Sequence, residues 1–292
     1  MTKSVVEEAH AKINLTLEIL GRRPDGYHNI VSVMQTVGLH DIVTVEEHDT
    51  VEVACDAAGV SPNENLATKA ADALRQRFGI RDGALIHIHK DIPVSAGLGG
   101  GSSDAAATLR ALNRLWELGL SNSDLMAVGA EIGSDVPFLV HGGTALVQGR
   151  GEDVTPLPPA NLDWILVLSP DISVVGKTAA LFSRISESMY TRGALTHKLA
   201  GRIRAGSDTP VELLFNVFDA VAPEAFDGWS EYRDALTGYG AREIFLSGAG
   251  PSMFTVPPRR ELGTAWQLLM QRTRGWQAFL TKPWTPGDGA DA

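Results

Sequence analysis

Between residues 93 and 106 the chain reads Pro-Val-Ser-Ala-Gly-Leu-Gly-Gly-Gly-Ser-Ser-Asp-Ala-Ala, with four glycines in five positions: Gly97, Gly99, Gly100 and Gly101. Glycines at this density remove the Cβ atoms that would hold a ligand off the main chain. Successive amides are then free to turn inward as an anion nest. The alternation of residues 84–90 predicts a strand before the loop, and the Ala-rich pattern predicts a helix from Ser102 to about Leu118 after it. A helix starting there adds its orphan N–H groups and the positive end of its dipole, so a phosphate site is made from neutral atoms. Ser102 and Ser103 stand at that helix start, where a hydroxyl either caps an amide or reaches a phosphate or metal ion. A flexible linker is the bland alternative, but linkers rarely join a strand directly to a strong helix. The loop is neither a Walker A motif nor a dinucleotide fingerprint. A nearer Walker match, Asp-Ile-Ser-Val-Val-Gly-Lys-Thr at 171–178, has Asp171 in place of the first glycine and reads as a decoy, although Lys177 and Thr178 keep reach to a ligand.

Moving a phosphoryl group to an alcohol requires a held nucleophile, an acceptor for its proton and a cation to offset charge. Asp135, in Gly-Ser-Asp-Val-Pro-Phe between an expected helix and strand, is a candidate acceptor; an Asx-turn or helix cap is the structural alternative. Lys12 is a candidate cation, or else a solvated lysine on a polar strand face. Asp25-Gly26-Tyr27-His28 is a hairpin turn that also offers a ring for stacking a base and an imidazole for its polar edge. His87 and His89 share a strand face at metal-binding spacing, but no third ligand accompanies them and the structural reading is preferred. A second small-residue loop, residues 247–252, reads equally as a tight turn or as another close approach to phosphate.

These residues need elements to place them. Ile13, Leu15, Leu17 and Ile19 alternate with Lys12, Asn14, Thr16 and Glu18, the pattern of a half-buried strand with Lys12 and Asn14 on one face. A turn at 22–26 and extended segments near 30–37 and 42–47 follow. Helices are expected over 64–78, stopped by Gly79, and from Ser121 to near Gly133. The run Pro156-Leu157-Pro158-Pro159 marks a domain division. Beyond it come a strand at 164–168, helical patterns at 177–188, 211–221 and 231–236, and a strand at 243–246. Without a regular βαβ beat, the fold class is α+β in two domains. With 25 basic against 35 acidic side chains and a net charge of -10, a nucleic-acid or anionic-membrane surface is not expected. One cysteine, Cys55, excludes an internal disulfide or cysteine zinc cluster, and no apolar run spans a bilayer. A cytoplasmic protein is the expectation.

The loop at 93–106 resembles the ATP loop of the GHMP small-molecule kinases, and residues 11–15, 25–28, 133–138 and 247–254 fit the same family over nearly the whole chain. The resemblance implies an N-terminal ATP-binding domain over 1–156, a ferredoxin-like α+β C-terminal domain over 157–284 and a disordered tail at 285–292. It implies ATP as co-substrate with Mg2+, whose protein ligands stay open, and a small-molecule alcohol carrying a cytidine diphosphate group. Lys12 and Asp135 match the family's catalytic pair. Asn65 and the segment Pro93, Val94, Ser95, Ala96, Gly97, Leu98, Gly99, Gly100, Gly101, Ser102 and Ser103 match its nucleotide contacts. Asn14, Tyr27, His28, Thr178 and Phe182 match its substrate contacts, with Tyr27 and Phe182 sandwiching the cytosine ring. A monomer or weak homodimer is implied. The competing readings are a GHMP kinase for homoserine or a mevalonate, and a nucleotide-binding module without catalysis.

Overall fold

The computed structural model describes residues 3–57, 65–172 and 176–287. Its first sheet grows from one long hairpin, β1 (Ser4–Arg22) and β2 (His28–His48), paired antiparallel almost from end to end. The Pro-Asp-Gly turn closes it, with Gly26 at φ +88 and Asp25 accepting from the Tyr27 amide. The two extended segments expected at 30–37 and 42–47 are therefore a single strand. Next in the chain come β3 (Val51–Cys55), α1 (Leu66–Phe78) and β4 (Gly83–His89), followed by α2 (Gly100–Leu115) and α3 (Asn122–Ile132). A short α4 (Val136–His141) leads into β5 (Thr144–Gly149) and β6 (Asp153–Leu157). The far half of β2 pairs with β4, and β4 with β3, while the near half of β2 pairs with β5, and β5 with β6.

Helix ends follow local chemistry. Asn65 caps α1 by accepting from the Ala67 amide, and Gly79 ends it in the left-handed conformation. Ser121 and Asp124 form a reciprocal capping box on α3. The helix α2 starts at Gly100, two residues before the expected Ser102, so Ser102 and Ser103 sit inside its first turn rather than at the cap. Ala105, Ala106, Ala107 and Ala111 are fully buried along it, which lets it lie close to β1 and β2 beneath α1 and α4. Burying each larger side chain at this junction, such as Leu109, Leu112 and Phe138, contributes about 1.5–3 kcal/mol.

The second half contains β7 (Ile165–Ser169), α5 (Lys177–Phe182), α6 (Ala194–Arg204), β8 (Phe215–Asn216), α7 (Ala222–Ala225), α8 (Trp229–Gly238), β9 (Phe245–Leu246), β10 (Met253–Thr255), α9 (Arg260–Leu269) and β11 (Gln277–Thr281). Four of these strands form an antiparallel sheet in the order β11-β7-β10-β9, confirming an α+β molecule of two sheets. β8 instead returns to the first sheet, parallel to β1. The helix expected at 211–221 is not there. Two 3₁₀ turns flank β8, because Asn216 caps the second through Phe218 N and spends its amide on Leu246 O and Gly248 O. The helix expected at 177–188 stops at Phe182, with a 3₁₀ turn at Glu187–Met189. At the C-terminus Pro286 lies against Gly142 and Gly143, and the rest of the expected tail, residues 288–292, is outside the described residues.

β1 departs from its sequence pattern most. The side expected to meet water is buried as well: Lys12, Asn14, Thr16 and Glu18 are each no more than 4% exposed. Each is partnered, as buried polar groups must be. Lys12 donates to Asn14, Asn14 to Ser32, the Val33 amide to Thr16, and the Thr196 amide to Glu18.

Candidate functional site

A cleft of about 1180 Å³ runs between the glycine-rich loop, the β1–β2 turn, the start of α4, α5 and the second glycine loop. Lys12 reaches it from a bulge in β1. Between His10 and Lys12 the pairing with β2 slips, and the Lys12 amide donates instead to Leu98 O of the glycine-rich loop at 2.9 Å. This fastens the loop to the strand that carries the lysine. The Lys12 ammonium is 2.8 Å from Asn14 Oδ1 and 3.7 Å from Asp135 Oδ2, and the Lys12 side chain is only 5% exposed against 36% for Asp135. Asp135 stands at the N-cap position of α4, yet its side chain makes no capping bond. The cap reading is thereby excluded, and the carboxylate is left turned toward the lysine.

The loop itself takes the conformations only small residues tolerate. Gly97 and Gly99 have φ of +87 and +75, and Ser95 has +56. A Cβ on Gly97 would meet Gly250 O and Ser247 O at 2.6 Å, so two glycine-rich loops from opposite halves of the chain lie main chain against main chain. Ser252 N donates to Ala96 O, and the Ser247 hydroxyl reaches Lys12 O and Gly97 O. Residues 247–252 thus clamp the first loop, and Gly248 and Ala249 also line the cleft.

Most of the expected contact residues line this cleft: Asn14, Tyr27, His28, Asn65, Thr178 and Phe182, with the loop residues from Pro93 to Gly97 and from Gly99 to Ser102. Two loop residues do not. Leu98 is buried in the core at 1% exposure, and the Ser103 hydroxyl donates to His10 O at 2.7 Å. Asn65 has its Oδ1 committed to capping α1. Tyr27, His28 and Phe182 also meet rings and a cation of the chain itself. His28 stacks on Phe182, ring centroids 4.9 Å apart, Phe182 stands edge-on to Phe218, and Tyr27 lies under the Arg150 guanidinium at 5.2 Å. Burial, then Arg22, lowers the His28 pKa.

Three charged residues that sequence reasoning left without a role stand beside the loop. Lys90 donates to Asp41 and Asp104, and Asp41 also accepts from the amides of Asp91 and Ile92, fixing the chain as it enters the loop. Burial pushes the Asp104 carboxyl up to about 7 against the opposing pull of Lys90. The available signal was an aspartate set among alanines on a helix face that had to be buried. Lys177, which sits in the decoy Walker match, donates to Ser95 O and Gly250 O and so bridges the two glycine loops. Burial, then the nearby Lys12, lowers its pKa to about 8. The His87 and His89 pair holds no third ligand among the described residues; His89 bonds Asp56 at the surface.

Residues 65–143 match the family model described as GHMP kinases N terminal domain. A 4-diphosphocytidyl-2-C-methyl-D-erythritol kinase of Dehalococcoides mccartyi is 40% identical over 282 residues, covering 96% of this chain and 98% of the relative. One from Symbiobacterium thermophilum is 42% identical over 261 residues, covering 88% and 92%. A crystal structure of 4-(cytidine 5'-diphospho)-2C-methyl-D-erythritol kinase superposes with a TM-score of 0.79 at 28% identity, over 96% of this chain and 100% of that one. A homoserine kinase from Cytophaga hutchinsonii shares the fold at a TM-score of 0.73 and 20% identity, over 97% and 95%. With this agreement along nearly its full length, the chain belongs to the 4-diphosphocytidyl-2-C-methyl-D-erythritol kinases, a branch of the GHMP kinase family.

Proposed function

We propose that the chain transfers the γ-phosphoryl group of ATP to the 2-hydroxyl of 4-diphosphocytidyl-2-C-methyl-D-erythritol, giving the 2-phosphate and ADP in the non-mevalonate route to isoprenoids. The observation that carries this reading is the Lys12–Asp135 pair, 3.7 Å apart in a cleft bordered by the glycine loop. ATP lies with its phosphates along residues 93–102, where loop amides and the start of α2 hold them. The substrate hydroxyl lies beside Asp135, which orients it and takes its proton. A bond forms from that oxygen to the γ-phosphorus, the bond to the β–γ bridging oxygen breaks, and ADP leaves. Lys12 offsets the charge on the migrating group, and Asn14 holds the ammonium in place. The aromatic set of Tyr27, His28 and Phe182 receives the cytosine ring.

Magnesium fits the residues present. Asp104 Oδ1 is a buried carboxylate oxygen with no hydrogen-bond partner, and both Asp104 and Ser102 line the cleft. As hard oxygen ligands, Asp104 and the Ser102 hydroxyl would hold the ion, which when bound would supply positive charge to the phosphates. Residues 1–156 and 157–284 are the proposed domains, and a cytoplasmic monomer or weak homodimer is the proposed setting; no helix of the described residues is long and apolar enough to cross a membrane.

The test is substrate-dependent ADP release by purified protein with ATP and magnesium, repeated with Asp135→Asn. The variant should bind an ATP analogue as the parent does and lose ~10²–10⁴-fold in turnover. A loss under about threefold contradicts the role of Asp135.

A further inference from the structure

On β1 and β2, on the far side of the bulge from Lys12, three side chains converge: Glu8, His10 and His40. His10 and His40 are cross-strand partners in the register. Each histidine has its Nδ1 against a main-chain carbonyl, His10 at 3.0 Å from Val37 O and His40 at 2.8 Å from Gly38 O. A carbonyl only accepts, so each Nδ1 carries a proton, and the neutral ring then presents its Nε2 lone pair. Both Nε2 atoms face the same carboxylate. His10 Nε2 is 3.0 Å from Glu8 Oε2, and His40 Nε2 is 3.8 Å from Glu8 Oε1.

With both rings neutral, three electron-pair donors converge here without a proton among them. His10 sharpens the problem, because its side chain is 5% exposed and its Nε2 has no hydrogen-bond partner. No other side chain competes for the Glu8 carboxylate among the described hydrogen bonds; the adjacent Arg110 guanidinium is spent on Glu7, Leu139 O and the main-chain oxygen of Glu8.

We propose that Glu8, His10 and His40 form a binding site for a first-row divalent cation of the zinc type, separate from the nucleotide cleft. Ligand atoms around a tetrahedral zinc lie ~3.3 Å apart when the bonds are about 2.0–2.1 Å. The two Nε2 atoms approach different oxygens of Glu8, at 3.0 and 3.8 Å, and one ligand atom from each of the three residues lies within 4.8 Å of the others, so small side-chain shifts bring the set to that spacing. The carbonyls of Val37 and Gly38 supply the outer contacts that orient metal-bound imidazoles. Glu8 and His40 are partly open to solvent, which leaves an entry path and room for water to complete the coordination. Trp284 stacks on His10 with centroids 3.8 Å apart, and the Ser103 hydroxyl binds the His10 carbonyl. An ion here therefore ties β1, β2, the C-terminal segment and the first turn of α2 to one point, two residues before Lys12.

The experiment is titration of the nucleotide-free protein with Co2+, read by its visible d–d absorption, with Zn2+ displacement as the second step. Parent protein should take up one Co2+ per chain, lose the band to one equivalent of Zn2+, and gain several degrees in Tm with either ion. His40→Ala and Glu8→Gln alter side chains partly open to solvent and should fold; each should weaken Co2+ by at least ~10-fold and lose the Tm gain. His89→Ala, which removes an exposed histidine elsewhere, should leave both readouts unchanged. An absent d–d band in the parent, or equal uptake by parent and His40→Ala, overturns the site.

Discussion

Lys177 holds a position that makes its charge conditional. Its ammonium spans the carbonyls of Ser95 and Gly250, and burial with the nearby Lys12 brings its pKa from the usual lysine range down to about 8. Below pH 8 the charged form is present and disfavoured by burial. As pH rises from 8 toward the unfolded value, the folded chain releases the proton first, so this group favours folding at alkaline pH. Nucleotide binding has the opposite dependence, because a triphosphate is attracted only to the charged form. The dissociation constant of a non-hydrolysable ATP analogue should thus rise by about tenfold from pH 7 to pH 9 through this group. Lys177→Met should start weaker and stay flat over the same range. An equal pH dependence in parent and variant would remove Lys177 from the phosphate site.

At the scale of elements, the phosphate loop depends on glycine unequally along its length. Gly97 is left-handed and pressed against the carbonyls of Ser247 and Gly250, whereas Gly101 lies in the first turn of α2 with only Leu66 Cδ1, at 4.0 Å, in reach of an added Cβ. Gly97→Ala should cost about 1–2 kcal/mol from the backbone alone, with the clash added to that. Its Tm should drop by roughly 4 °C or more, and nucleotide affinity should fall with it. Gly101→Ala should hold or raise the Tm of the ligand-free protein, since alanine is about 0.5–1 kcal/mol better than glycine inside a helix. Thermal melts of the two variants side by side give the answer. The composition of the loop, the strand before it and the helix after it were legible in residues 84–115, because each is set by neighbours a few positions away. The clamp by residues 247–252 was not, since it joins positions 150 apart (Gly97 to Ser247). The same non-local enclosure explains why Lys12, which the alternation of β1 offers as a solvated lysine, is buried in the fold. It also explains the helix wrongly expected at 211–221, where Asn216 surrenders helical pairing to hold the second loop. Tyr27, His28 and Phe182 were placed in one cleft by resemblance, but the stacking of His28 on Phe182 depends on how α5 docks, which no local pattern encodes.

For the molecule as a whole, a net charge of -10 repels the anions this kinase must collect. The cleft reverses that sign locally with Lys12, Arg22, Lys90, Arg150 and Lys177 along its walls. Four of them divide into two groups that respond differently to salt. Lys12 and Lys90 are buried and paired with carboxylates at the loop, so screening by ions hardly reaches them. Arg22 is exposed at the rim, and Arg150 is about a third exposed and shares its charge with Glu152. Exposed charges act over a Debye length of ~10 Å at 0.1 M salt and only about 3 Å at 1 M. Capture of ATP and of a diphosphate-bearing substrate should therefore weaken with salt while the chemistry at Lys12 and Asp135 does not. Steady-state assays over NaCl from about 0.05 to 0.5 M should show kcat/KM falling several-fold with kcat nearly constant. Arg22→Ala should flatten that fall. A parallel loss of kcat would place the screened charges at the reacting phosphoryl group instead of the rim, and the division of labour between buried and exposed cations would not stand.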